Sequence, residues 1–194
     1  LGTGTRVLAT EKNHGQGNII TTENALDIAV TGEGFFAVQQ ADGTIAYTRD
    51  GSFKLSVEGQ VVTVGGEPII PAINIPQNTA AITIGRDGTV TAELANGGGA
   101  AQVGQIQLSR FVNTAGLQPI GRNLLQPTNA SGDAIVGIPG EDGAGMLMQG
   151  SLEASNVNVV EEMVNMIETQ RAYEVNSKAI AAADGMMRFL NNNL

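Results

Sequence analysis

The residues that could do chemistry in this chain are few and poorly placed for it. His14 is the only histidine and there is no cysteine, so a multi-histidine metal centre, a thiolate site and a disulfide are closed to one copy. His14 also lies in a polar, Gly-rich stretch, Asn13 to Gly17, which gives a general base no rigid support. Glu161 and Glu162 would be the carboxylate pair, but neighbours on a helix point about 100° apart, and carboxylates at a helix start are explained by the dipole. Asp42, Asp50 and Asp87 could ligate calcium if clustered. Each is instead followed by Gly as in a hairpin turn, and none has EF-hand spacing. Gly32-Glu33-Gly34 and Gly97-Gly98-Gly99 lack the Lys-Ser/Thr of a phosphate-binding loop. The expectation is a chain with no catalytic residues, no cofactor and no metal.

The regular constellation is apolar. Val159, Met166, Tyr173, Ile180 and Met187 recur every seven residues, and Met163, Ala172, Ala179, Ala183, Met186 and Leu190 widen the stripe. Its chemistry is adhesion: a strict seven-residue repeat stays aligned only when helices supercoil around one another. We take Val159, Met163, Met166, Tyr173, Ile180 and Met187 as the assembly seam. The competing reading packs the same stripe on the chain's own body, as amphipathic helices usually do. Length weighs against it, because about 30 residues make a rod of roughly 45 Å.

The element carrying the stripe is well signalled. From Ser155 to Leu190 there is no proline, and Gly185 is the only glycine. Asn158 is placed to cap the helix, with Glu161 completing a capping box. Arg188 is expected at the negative end of the dipole, and Glu168–Arg171, Glu174–Lys178 and Asp184–Arg188 have ion-pair spacing.

Upstream the period is that of strands. Turn dipeptides Asp42-Gly43, Asp50-Gly51, Glu58-Gly59 and Gly65-Gly66 separate short β-branched or aromatic runs, which predicts a meander with strands at Phe35–Gln39, Ile45–Arg49, Phe53–Val57 and Gln60–Val64. Further strands are expected at Ile82–Ile84 and Thr89–Leu94, around Asp87-Gly88. Val103–Phe111 reads as one longer strand with a slip in register, Gln126–Gly145 as loop, and Met146–Leu152 as a closing strand. Gly97-Gly98-Gly99 reads as a flexible break. The expected fold is mainly β, a meander or barrel-like body with a coiled-coil-type helix at the C-terminus. Residues 1–26 would connect, 27–152 form the body and 153–194 the helix.

Composition excludes several function classes. A net charge of −9, with ten scattered Lys and Arg, argues against nucleic acid and against anionic membrane surfaces. No run approaches a membrane span, and no charged-then-apolar start marks a cleaved signal peptide. Aromatic residues are only 4% of the chain, few for a small-molecule pocket, whereas 26 glycines imply many tight turns. A surface carbohydrate-binding or hydrolytic β-domain is the rival class.

Two blocks then carry a resemblance. Ser155-Asn156-Val157-Asn158-Val159-Val160-Glu161-Glu162-Met163-Val164-Asn165-Met166-Ile167, continued by Gln170-Arg171-Ala172-Tyr173-Glu174 and Asn176-Ser177-Lys178, is similar to the signature of the flagellar rod and hook axial proteins. So is Gly32-Glu33-Gly34-Phe35-Phe36 with Tyr47-Thr48-Arg49-Asp50-Gly51-Ser52-Phe53. The resemblance spans the chain from Gly2, and the second block with the modest size favours a distal-rod member over the proximal rod or the larger hook. It implies a subunit exported by the flagellar type III apparatus, without a cleaved signal, into a rod crossing the periplasm. Implied partners are identical subunits in a helical polymer, proximal rod and hook proteins, and surrounding ring proteins. The family pairs the C-terminal helix with an N-terminal one; about 60 residues carrying it would precede Leu1.

Overall fold

The computed structural model describes residues 6, 8, 12–95 and 99–192. Gly97 and Gly98 of the expected break lie outside the described residues. The chain divides into two compact units, Leu1–Ser155 and Asn156–Leu194.

The first unit is built of short antiparallel strands. A five-stranded sheet runs in the order β12 (Gln118–Gly121), β13 (Leu124–Gln126), β4 (Ile45–Thr48), β3 (Phe36–Gln39), β7 (Ile69–Ile70). β3 and β4 form a hairpin, with Phe36 opposite Thr48 and Gln39 opposite Ile45. Its turn is Asp42-Gly43, where Gly43 takes φ 85° and donates its N–H to the Gln40 carbonyl at 2.9 Å. β8 (Thr79–Ile84), β9 (Thr89–Leu94) and β10 (Ala100–Gln105) make a three-stranded meander. β5 (Lys54–Leu55) pairs β6 (Val61–Val62), a hairpin shorter than expected because Phe53 donates its N–H to Leu26 instead. Two-stranded pairings complete the unit: β1 (Ile19–Thr21) with β16 (Ser151–Glu153), β2 (Ile28–Thr31) with β15 (Met146–Gln149), and β11 (Leu108–Arg110) with β14 (Ile135–Gly137). Among the described residues no sheet closes on itself, so the body is meander-like and the barrel-like expectation is set aside.

The core follows from the two-residue period of β3. Phe36 and Phe35 point to opposite faces and seed different clusters. Phe36 meets Phe53 edge-on at 5.1 Å, among Ile28, Val30, Ile69, Ile106 and Leu108. Phe35 packs with Phe111, which in turn meets Tyr47 at 4.8 Å. Such edge-to-face pairs add about 1 kcal/mol beyond their area.

Four expectations are corrected. Val103–Phe111 is not one strand: Ile106 is buried, its N–H donates to the Gly88 carbonyl at 2.7 Å, and the chain passes there from β10 into β11 of another pair. Gln126–Gly145 is not all loop, since β14 lies within it and aligns Gly137 with Leu108. Met146–Leu152 breaks at Gly150, whose φ of 70° ends β15 before β16 begins on a different partner. Asp50-Gly51 is no hairpin turn. Gly51 is buried, and a Cβ there would stand 1.7 Å from the Ile28 carbonyl oxygen, so glycine serves close backbone approach.

The second unit is one helix, α1 (Val159–Asn192), 34 residues long. Among the described residues no helix is long and apolar enough to cross a membrane.

Candidate assembly surface

A run of 34 residues makes a rod of about 51 Å. Proline-free sequence and good helix formers account for it, and its start is defined by side-chain chemistry. Asn158 Oδ1 accepts the Val160 N–H at 3.2 Å, while the Asn158 carbonyl accepts the Glu162 N–H at 3.0 Å, the first bond of the helix. Glu161 and Glu162 fall in the first turn, where the dipole favours carboxylates. Among the described residues no hydrogen bond returns from Glu161 to the Asn158 N–H, so only half of the capping box is formed. We expect Asn158→Ala to cost the helix start about 1 kcal/mol. Amide exchange should then rise at Val160 to Glu162 and fade within a turn or two.

Two electrostatic expectations change. Because α1 runs to Asn192, Arg188 lies ahead of the last turn, which holds no basic residue. Among the described residues the ion pairs are Arg49–Glu153 and Arg122–Glu67; the three spacings along α1 are not closed. Exposed pairs gain little against the entropy of holding two long side chains.

The proposed seam residues Val159, Met163, Met166, Tyr173, Ile180 and Met187 are all exposed, between 59% and 76%. A single helix has no second element within its own unit to cover them. At about 100° per residue the seven-residue steps keep them on one slowly drifting side. Three methionines, a tyrosine, a valine and an isoleucine exposed along one stripe are more than scattered exposure explains.

The body carries a cleft that could compete as a site. It has a volume of about 570 Å³ and is lined by Thr48, Asp50, Ser52, Thr63, Glu67 and Arg122 among others. Its carboxylates are engaged locally: Asp50 accepts from Ser52 N–H at 3.0 Å, and Glu67 is bound by the Thr63 hydroxyl and by Arg122 at 3.2 Å. The Thr63 hydroxyl, with a smaller contribution from Arg122, holds Glu67 below the ordinary carboxylate range, the wrong direction for a general acid near neutrality. Stability from such a depressed group is present above the unfolded value and lost as pH falls through the folded one. Thr63→Val should therefore raise the Glu67 titration midpoint, read by carboxyl NMR. His14 packs edge-on against Phe35 at 5.9 Å with Nε2 buried, and burial, then the charges of Lys12 and Arg49, favour its neutral form. Among the described residues no partner lies at hydrogen-bonding distance of that nitrogen.

What sequence reasoning missed is a node at Arg49. Its Nε donates to Glu153 at 2.7 Å, Nη1 to the Gly34 carbonyl at 2.8 Å, and Nη2 to the Gly32 and Val30 carbonyls at 2.6 and 3.2 Å. The motif Gly32–Phe36 and the motif Tyr47–Phe53 are thus stitched by one guanidinium. A lone arginine ending a strand gave no local signal of this.

Known proteins match on both units. Residues 29–92 match the family described as flagellar hook protein FlgE/F/G D1 domain, and residues 148–193 the one described as flagellar basal body rod FlgEFG protein C-terminal. A β-rich body with a long exposed C-terminal helix is therefore here the architecture of a flagellar rod and hook axial protein. The chain is 53% identical over 191 residues to the flagellar basal-body rod protein FlgG of Buchnera aphidicola subsp. Schizaphis graminum, covering 98% of this chain and 74% of that protein. To the FlgG of Agrobacterium fabrum it is 44% identical over 194 residues, covering 100% and 74%, and to that of Bacillus subtilis 38% identical over 177 residues, covering 89% and 66%. The chain belongs to the FlgG family of flagellar basal-body rod proteins and is a structural subunit of the distal rod. The carbohydrate-binding or hydrolytic reading is not favoured.

Proposed function

We propose that α1 is the polymerising element of the subunit, that its apolar seam is covered by helices of neighbouring copies, and that the subunit transmits torque without catalysing a reaction. The observation that supports this is the exposed stripe Val159, Met163, Met166, Tyr173, Ile180 and Met187 on a helix forming its own unit. A shaft requires many identical, heterologous contacts closing into a helix of subunits, and long packed helices supply stiffness. In this reading the β body forms the outer wall. Its neighbours are identical subunits, the proximal rod and hook proteins at either end, and the ring proteins around it. The subunit crosses the inner membrane by flagellar export and works in the rod spanning the periplasm. No nucleic acid and no membrane insertion is involved, in keeping with a charge of −9.

Electron microscopy of purified basal bodies with this protein carrying a label tests the reading. The label is expected along the rod between the rings and the hook junction; label off the rod would refute it.

A further inference from the structure

The Arg49 node joins four stretches of the body that are distant in sequence. Arg49 follows β4; its carbonyl acceptors Val30, Gly32 and Gly34 lie at the end of β2 and just beyond; Glu153 is the last residue of β16. The other Glu153 oxygen accepts the Gly17 N–H at 2.8 Å, reaching the segment that enters β1. One carboxylate therefore holds the incoming chain while one guanidinium holds that carboxylate to the body. The pair is partly shielded, with side chains 24% and 10% exposed, so this is no freely solvated surface ion pair. Its place is the two-stranded neck, β1 with β16, where Ile19 faces Glu153 and Ala154 donates to Asn18 at 2.8 Å.

Backbone bonds also tie the neck to its surroundings: Ser151 donates to the Asp27 carbonyl at 3.3 Å, and Thr22 and Glu23 donate to that of Gly150 at 2.8 and 3.1 Å. Each strand is three residues long, and Ile20 is exposed. Two-stranded ribbons of that size are not stable alone. We infer that Arg49 is a positioning residue for assembly: through Glu153 it clamps the neck to the body and keeps β1 and β16 in register. Lysine cannot replace it, because a point charge satisfies Glu153 or the carbonyls but does not reproduce the planar fork that reaches both. The consequence for assembly rests on the rod reading; the clamp itself does not.

The test is amide hydrogen exchange by NMR on the 194-residue chain and on Arg49→Met, Arg49→Lys and Glu153→Gln. In Arg49→Met the amides of Gly17, Thr22 and Ala154 are expected to exchange about 10- to 100-fold faster, with β3 and β4 changing less than about threefold. Arg49→Lys recovers only part of the protection. Neck amides at the unsubstituted rate would overturn the inference. If Arg49→Met fails to fold, Glu153→Gln decides: acceleration confined to the neck supports the clamp, and no change or acceleration spread through β3 and β4 overturns it. In cells, a loosened neck with normal rods would overturn the role in assembly and leave the rod reading standing. Label off the rod would overturn that reading and leave the exchange result untouched.

Discussion

Cells whose only copy of this protein carries Tyr173→Asp are expected to be non-motile and to lack distal rods, although the β body folds normally. Tyr173 is the middle residue of the five that repeat every seven, and it is 76% exposed on α1. If neighbouring helices cover it, an aspartate there must be desolvated without a partner, which costs several kcal/mol at each contact. A helical polymer repeats that contact at every subunit, so the loss compounds. The change lies in α1 and not in the first unit, which ends at Ser155, and the body's melting should move by less than about 0.5 kcal/mol equivalent. Tyr173→Phe keeps the ring and should restore rods. Motility assays, counts of rod-bearing basal bodies and thermal melts read the three arms. Normal rods in the aspartate cells would contradict the account.

Gly51→Ala is expected to lower the melting temperature of the body by about 10 °C, corresponding to roughly 3 kcal/mol or more in a unit of this size. The cause is backbone against backbone: the added methyl would lie 1.7 Å from the Ile28 oxygen, and Ile28 sits in the main core beside Phe36 and Phe53. The Gly51 segment and β2 cannot separate without opening that core. Gly43→Ala is the internal comparison. It meets nothing within 4 Å and suffers only its φ of 85°, a cost of about 1 kcal/mol. Differential scanning calorimetry of the two variants should separate them by several degrees. Equal shifts would mean that Gly51 acts as the turn glycine its Asp-Gly context suggests.

That contrast shows what could be read from the chain alone. Local signals served well where structure is local: the Asp42-Gly43 and Asp87-Gly88 hairpins, β9 at Thr89–Leu94, and a proline-free helix behind Asn158. They failed where a partner far along the chain decides. β14 looks like loop in sequence because its three residues gain a strand's identity only from β11, and β10 and β11 look like one strand because only Ile106, tied to Gly88, marks the crossing. The stripe proposed as the assembly seam is legible because its seven-residue period lies within one helix. Arg49 is not, since its acceptors are three backbone carbonyls and a glutamate more than a hundred positions away.

The absence of cysteine makes the decisive measurement simple. A single cysteine replaces Tyr173 in one protein and Glu168, on the far side of α1, in another, and maleimide labelling is followed in unassembled subunits and in purified basal bodies. The account predicts that position 173 reacts readily before assembly and is protected in rods, whereas position 168 stays more reactive. A cysteine at 173 that is already protected in unassembled subunits, or is labelled as fast in rods as before assembly, would contradict it.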